Sequence, residues 1–565
     1  MTAQSIREAL QRALESCNIS AKSVALEHPG EFAHGDYATG VALQYAKEAG
    51  LKPRELAEKI VESLGSIEGV SKIDIAGAGF INFHLSSDAI SKTIQEARNE
   101  DMWGANRNEE GKKTIVEYTD PNPFKEFHIG HLVTNAIGES ISRLFAFAGA
   151  DVRRANYQGD VGRHVARAIW GLMQSKESPE SVVALGRAYA AGAAADTDGS
   201  VAKSEITAIN KKVYDRSDES INDLYDRGRR TSLEHFEELY TILGTKFDFY
   251  FFESEVGPYG REVVQSHLKD GVFKESEGAV VYDGEKKGLH TRVFLNSEGL
   301  PTYEAKELGL SKIKYEKFPY EKSVIVTGNE INEYFKVLLA AMQEVFPELA
   351  EKTTHVSHGM MRLQEGKMSS RTGNVVTGES LVNDLSDAAR ERAKESRAED
   401  PEKLSQQIAV AAIKYQILRQ ATGKDIIFNR EQALSLEGDS GPYLQYAHAR
   451  AHQVVERAKS QGISAPMPGS ESMNASYMKH GEGNVVARLL VRFPDIVERA
   501  AKNLEPQLIA NYLVGFAGAF NSWYAQEHIL DGTPAAAHKV ALTDAARRTL
   551  KNGLWLLGIE APEKM

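Results

Sequence analysis

Two histidines set three residues apart, His128 and His131, flank Gly130 in a stretch that changes character along its length. Thr114 to Tyr118 is a β-rich apolar run, Pro121 and Pro123 break it, and helical spacing resumes at Gly130. That order reads as strand, turn, helix. A turn feeding a helix N-terminus presents free N–H groups and about half a positive charge, which suits phosphate. The three-residue spacing lets both imidazoles face one ligand. Gly130, with no Cβ, lets a flat base lie against the backbone. Two blander readings stand beside this one: a surface histidine pair, and half of a zinc site. The zinc reading wants thiolates, which a chain with Cys17 as its one cysteine lacks nearby.

A second stretch, Glu365-Gly366-Lys367-Met368-Ser369-Ser370-Arg371-Thr372-Gly373-Asn374, is polar and bounded by glycines. A loop carrying cations and hydroxyls supplies what phosphoryl-oxygen charge needs during nucleotidyl transfer. Lysine, a point charge on a flexible stem, can follow a departing pyrophosphate. Alone, a Lys-Met-Ser-Ser segment is more simply a solvated loop. The ordered pair is more specific. His-Ile-Gly-His (128–131) followed far downstream by Lys-Met-Ser-Ser-Arg (367–371) resembles the class I aminoacyl-tRNA synthetases, whose two signatures face each other across ATP. The resemblance implies that His128, Gly130, His131, Gly328, Asn332, Lys367, Met368, Ser369, Ser370 and Arg371 contact ATP. It also implies that His128, His131, Lys367 and Lys125 act in catalysis.

These residues need a scaffold, and 565 residues suffice for three or four domains. The chain is 42% hydrophobic and 26% charged, an ordinary globular composition. A lone cysteine excludes an intrachain disulfide and any cysteine-paired zinc finger, so no protein-bound zinc or other resident metal is expected. That usage fits a reducing cytoplasm. The N-terminus lacks a signal peptide's apolar core. No apolar run reaches the roughly 18 residues that span a bilayer. The net charge of −12 argues against an indiscriminate polyanion coat but leaves room for locally basic RNA-binding surface.

The expected architecture is multidomain, α/β plus all-α. Residues 1–105 read as a small α/β domain and 106–380 as a Rossmann-like catalytic domain with a parallel sheet. A charged helical insertion falls at about 176–240, with the Ala/Gly-rich Ala188 to Gly199 as an exposed joint. Residues 381–435 read as a helical connector. Residues 436–565 read as an all-α bundle with helices at Tyr443–Ala458, Asn484–Arg492, Pro506–Glu527 and Leu542–Leu557, and a loop over Gln461–Tyr477. Asn156-Tyr-Gln-Gly-Asp160-Val-Gly162 is a Gly-rich turn at the sheet's carboxyl edge, where α/β folds place ligands.

Longer phrases sharpen the resemblance to the arginyl-tRNA synthetases. They are Pro-Asn-Pro-Phe-Lys-Glu-Phe-His-Ile-Gly-His (121–131), Ala155 to Gly162, Glu437 to Arg450, Gly553 to Met565, and, near the start, Gly-Asp-Tyr-Ala-Thr (35–39) with Gly-Phe-Ile-Asn-Phe (79–83). The implied activity is ATP-dependent attachment of L-arginine to tRNA(Arg) through an arginyl-adenylate. Mg²⁺ is expected to arrive with the nucleotide, and tRNA to bind before the amino acid is activated. By the same resemblance arginine is held by Glu117, Asn122, Tyr303 and Glu307, and tRNA by Phe80 and Asn82 at its elbow and by Tyr446, Arg450 and Trp523 in the bundle. Carboxylates plus a phenol and an amide are what a guanidinium needs. From spacing alone Tyr303 and Glu307, four apart, share a helix face that could equally be ordinary surface. Three positions depart from the family pattern: Glu307 stands where aspartate is usual, Val133 where an arginine often follows the second histidine, and Ile331–Asn332 where a histidine pair is common. The expectation is a cytoplasmic monomer with no membrane partner. Competing readings are a synthetase-like RNA binder without catalysis, a small-molecule nucleotidyltransferase of the same fold, and a synthetase for another amino acid. The last is disfavoured by the absence of cysteine pairs and by carboxylates where a glutamate pocket would want cations.

Overall fold

The computed structural model describes residues 2–21, 23–364, 376–396, 398–463 and 482–565. The chain divides into two compact units, one of residues 1–104, 447–496 and 515–552, the other of residues 105–446, 497–514 and 553–565.

The first unit begins with α1 (Thr2–Ser16), β1 (Tyr37–Thr39), α2 (Val41–Tyr45), α3 (Pro53–Leu64), β2 (Val70–Ala76), β3 (Phe80–Leu85) and α4 (Ser87–Asn99). The strands form an antiparallel sheet in the order β1-β3-β2. α1 buries Ile6, Leu10 and Leu14, and α3 buries Leu56, Ile60 and Leu64, the four-residue recurrence of a one-sided helix. Pro53 opens α3 at a position that needs no N–H. Asp36, 4% exposed, accepts the Leu85 amide at 2.8 Å and the Arg488 guanidinium at 2.5 Å, which ties the sheet to the 447–496 segment. Arg488 and Arg492 both lie over the Phe32 ring.

The second unit is built on β4 (Lys113–Glu117), α5 (Ile129–Phe147), β5 (Asp151–Gln158), α6 (Arg163–Ser175), α7 (Val182–Ala195), α8 (Val201–Asp215), α9 (Glu219–Leu243), β6 (Phe249–Phe252) and α10 (Glu253–Ser266). A small antiparallel sheet follows, β7 (Phe273–Ser276), β8 (Ala279–Tyr282) and β9 (Arg292–Leu295). The chain continues through α11 (Tyr303–Lys317), β10 (Lys322–Gly328), α12 (Asn332–Val345), α13 (Pro347–Lys352) and β11 (Thr353–His358). The main sheet is wholly parallel, in the order β11-β10-β4-β5-β6. Strand order reverses between β4 and β10, so the crevice beyond their carboxyl ends is where such a sheet receives a ligand.

α6 to α9 form the insertion, around a core that includes Val165, Ile169, Leu185, Ile206 and Ile221. The Ala/Gly-rich stretch expected as an exposed joint is instead mostly α7, with Ala188 and Gly192 buried. A Cβ on Gly171 would lie 2.1 Å from the Ala188 carbonyl oxygen, and one on Gly192 would lie 2.1 Å from that of Arg167. Small residues here let two helix backbones touch, so a composition that reads as flexible is a packing face.

Beyond the sheet come β12 (Met361–Leu363), α14 (Gly378–Glu395), α15 (Pro401–Leu418), β13 (Ile426–Phe428) and α16 (Arg430–Ala433). The helical connector expected over 381–435 therefore also contains a strand. β13 pairs in parallel with β12, a partner about 65 residues away that local periodicity cannot reveal. Lys414 on α15 is 1% exposed and donates to the carbonyls of Leu243 at 2.6 Å and Gly558 at 2.7 Å. The chain ends with α17 (Gly441–Ser460), α18 (Glu482–Asn503), α19 (Gln507–Gln526) and α20 (Ala536–Leu556). α18 runs through Pro494, past the Arg492 limit expected from sequence. Its buried face continues on both sides, through Leu490, Phe493, Val497 and Ala500. Most of the expected loop over 461–477 lies outside the described residues.

Candidate active site

The turn from β4 into α5 is held in a strained path. Thr119, Asp120 and Phe124 all have positive φ, at 79°, 46° and 67°. None is glycine, so each conformation is maintained by its surroundings. Thr119 Oγ1 accepts from Asn135 at 3.1 Å, Asp120 accepts the Tyr157 amide at 2.7 Å, and the Phe124 amide donates to Ser232 of α9 at 3.0 Å.

The turn delivers His128 to the N-cap of α5. Its Nδ1 accepts the Gly130 amide at 3.1 Å, while His131 Nδ1 accepts the His128 amide at 3.2 Å. A backbone amide can only donate, so each Nδ1 carries its lone pair and each neutral ring bears its proton on Nε2. The rings stack at 3.6 Å between centroids and 20° between planes. Burial, then the Lys125 ammonium, holds His128 below the usual imidazole pKa. Burial, then His128 and Lys125, holds His131 well below it. The result is a pair of neutral rings, each with an Nε2–H donor, at a helix N-terminus. A Cβ on Gly130 would meet the His128 ring at 2.9 Å. Lys125 Nζ lies 5.3 Å from the centre of the Tyr189 ring of α7.

Beyond β4 and β10 lies a cluster of acids, of which Glu117, Glu253 and Glu304 are buried and Asp120 and Glu307 half-buried. Glu117, at the end of β4, is 2% exposed and accepts from Lys314 Nζ of α11 at 2.6 Å. Glu253, at the start of α10, accepts from Lys306 Nζ at 2.5 Å. Glu304 faces Arg292 at 3.4 Å. Glu307 has no cation within ion-pair distance among the described residues. Its carboxyl is pushed up to about 8, first by burial and then by Glu117. Burial, then Glu117, also raises Asp120 well above the carboxylate range. Tyr157 is 9% exposed, its hydroxyl has no partner among the described residues, and burial, Glu253 and Glu307 raise it. Asn122, assigned to the same pocket, accepts the Gly159 amide through Oδ1 at 3.1 Å. Tyr303 stands at the outer rim, 63% exposed, with Lys306 Nζ 5.4 Å from its ring centre.

Gly328 ends β10 and Asn332 begins α12, its Oδ1 buried without a partner among the described residues. Lys367, Met368, Ser369, Ser370 and Arg371 lie outside the described residues. The chain immediately after them is placed: Thr377 forms a β-bridge with His128, and the Gly378 amide donates to the Phe127 carbonyl at 2.6 Å.

In the first unit Phe80 is 44% exposed at the start of β3, whereas Asn82 is 3% exposed between its neighbouring strands. Arg450 donates to Asn521 and lies over Tyr524. Tyr446, in the second unit, is half-buried beside an apolar cavity lined by Leu404, Ile408 and Met565. Trp523 is a correction: it is fully buried beside Phe520, so no ring face is open to a base. Sequence reasoning missed Asp120, Tyr157, Glu253, Lys306 and Lys314. Tyr157, Asp120 and Lys306 stood inside stretches already singled out, without a role given to them, whereas Glu253 and Lys314 are brought in by the fold from other segments. Among the described residues no helix is long and apolar enough to cross a membrane.

Three family models match the chain: tRNA synthetases class I (R), catalytic domain, over residues 93–430; DALR anticodon binding domain over 444–565; and Arginyl tRNA synthetase N terminal domain over 3–85. Among curated relatives, the arginine–tRNA ligase of Streptococcus pneumoniae serotype 19F (strain G54) is 31% identical, covering 100% of both chains. That of Clostridium perfringens (strain 13 / Type A) is 29% identical over 96% of both. Among solved structures, Thermus thermophilus arginyl-tRNA synthetase superposes with a TM-score of 0.77 at 24% identity over 100% of both chains. The Plasmodium falciparum enzyme gives 0.79 at 20%, over 100% of this chain and 99% of its own. These two likenesses establish the shared fold.

Proposed function

The chain belongs to the class I arginyl-tRNA synthetases, and from that premise we propose how its own residues carry out the ATP-dependent attachment of arginine to tRNA(Arg). The arginine carboxylate attacks the α-phosphorus of ATP in line. A carboxyl-oxygen–phosphorus bond forms, the bond to the bridging oxygen breaks, and pyrophosphate leaves. The Nε2–H groups of His128 and His131 donate to the phosphate oxygens, aided by the amides at the start of α5 and by the Lys125 ammonium. Such preorganised donors lower the barrier where charge develops. Lys367, with Met368, Ser369, Ser370 and Arg371 around it, follows the pyrophosphate. Mg²⁺ comes with the nucleotide as part of the substrate. Gly328 and Asn332 take the adenosine side. Glu117, Asn122, Tyr303 and Glu307 take arginine. In the second step the terminal adenosine hydroxyl of the tRNA attacks the anhydride carbonyl and releases AMP. No side chain becomes a covalent nucleophile.

The observation that carries this reading is the bridge from Thr377 to His128, because it fastens the chain just past the second signature to the first. Phe80 and Arg450 are the proposed RNA contacts of the first unit, and Tyr446 that of the second. The domain limits proposed from sequence, the cytoplasmic location and the monomeric state belong to the same reading. Pyrophosphate exchange into ATP tests it: exchange should require arginine and tRNA(Arg) together. Exchange driven instead by another amino acid, or none at all, would overturn it.

A further inference from the structure

His358 closes β11, 5% exposed, with Gly328 opposite it at the end of β10. Its Nδ1 lies 2.8 Å from the Gly359 carbonyl oxygen. A carbonyl only accepts, so Nδ1 carries the proton and Nε2 keeps its lone pair. Burial holds the ring below the usual imidazole pKa, which keeps it neutral. That Nε2 is buried with no partner among the described residues, as is the Oδ1 of Asn332, already placed on the adenosine side. An acceptor left so costs free energy until a donor reaches it. Strand alternation puts His358 on one face with Val356 and, across the ladder, with Val326 and Gly328. Both valines are buried. The Glu330 carboxylate lies beside them, for a Cβ on Gly328 would stand 2.2 Å from its Oε2. Burial lowers His358 and His128 alike, and the same Glu330 carboxylate opposes the shift in both. One acid is therefore within electrostatic reach of both rings, which sets His358 on the side of the sheet that carries the first signature. A place lined by valine side chains and glycine backbone, with one nitrogen lone pair, suits a flat base with an amine on its edge. A ribose would bring hydroxyls against apolar walls.

Resting on the assignment of this crevice to ATP, we propose that His358 Nε2 accepts an N–H of the adenine 6-amino group and so selects ATP among the purine triphosphates. The 6-oxo group of guanine or hypoxanthine sets a second lone pair against the first, and neither is satisfied. The ring cannot turn donor at Nε2 without giving up the Nδ1 bond to Gly359. His358 is therefore a specificity-determining residue that works by refusing the wrong base as well as by holding the right one.

Pyrophosphate exchange by the full chain, with arginine and tRNA(Arg) saturating, tests this with three nucleotides. They are ATP, purine riboside triphosphate, which lacks the amine, and inosine triphosphate, which carries the 6-oxo group. In the wild type kcat/KM should fall roughly 10- to 100-fold from ATP to purine riboside triphosphate, the scale of one buried acceptor left unpaired, and further to inosine triphosphate. His358→Phe should use ATP and purine riboside triphosphate equally well. His358→Gln, whose amide can turn its N–H toward a 6-oxo group, should narrow the gap between ATP and inosine triphosphate roughly tenfold, and it carries the test if the phenylalanine variant does not fold. A wild type that uses purine riboside triphosphate as readily as ATP would overturn the proposal, and so would either variant keeping the wild-type ratios. No exchange with ATP itself would instead overturn the assignment of the crevice to ATP.

Discussion

Lys314 donates to Glu117 across 2.6 Å with both side chains sealed from water, at 1% and 2% exposure. A pair so placed does not add much over a well-packed apolar couple, but breaking it strands a charge. Lys314→Met should therefore destabilise the chain by about 3–5 kcal/mol at neutral pH. Glu117→Gln added to it should recover part of the loss. Urea unfolding of the single and double variants checks this. A single variant that unfolds at the wild-type midpoint would show that the pair carries no strain-free charge balance worth keeping.

The stacked imidazoles predict an acid-side dependence. His131 is held neutral in the fold by burial, while in the unfolded chain it takes a proton near pH 6.5. The unfolded state then binds more protons, so stability rises with pH across this window. The contribution is complete above about pH 6.5 and drains away as pH falls toward the depressed folded value. His131→Asn should flatten that limb of the stability profile. Adding Mg·ATP should move the ring titrations of His128 and His131 upward, since phosphate favours the imidazolium. Proton NMR of the two rings reads this, and titrations unmoved by nucleotide would remove them from the phosphate site.

A Cβ on Gly228 of α9 would lie 2.3 Å from the Phe124 ring, whose backbone stands at a φ of 67°. Gly228→Ala must displace that ring and with it the turn carrying Lys125 and His128. Adenylate formation should fall by roughly 10², as expected for a small misplacement of reacting groups, while overpacking lowers stability by about 1–3 kcal/mol and leaves the chain folded. Rapid-quench measurement separates the two effects. A variant with wild-type chemistry would mean that the insertion does not position the site.

Lys367→Ala should slow activation by roughly 10² to 10³ under saturating substrates, the scale for losing one preorganised charge donor. An unchanged rate would take Lys367 out of the reaction.

What was legible in the sequence was local. The β4-turn-α5 order, the helices expected over Tyr443–Ala458 and Pro506–Glu527, and the two signatures are all carried by neighbours in the chain. What was illegible depends on distant partners. Lys314 reads as one more lysine on a charged helix until the parallel sheet brings Glu117 beneath it. Ala188 and Gly192 read as a hinge because composition alone cannot distinguish a residue that bends from one that lets backbones touch. The resemblance assigns Trp523 to tRNA but gives no depth, and the fold buries it.

Lys414 has a consequence for how the second unit comes apart. One ammonium serves the last turn of α9 and the Gly558 carbonyl together, so neither stretch can fray without stranding the donor the other also uses. Amide exchange around Leu243 and around Gly558 should therefore share one opening free energy, making two remote stretches of chain a single breathing body.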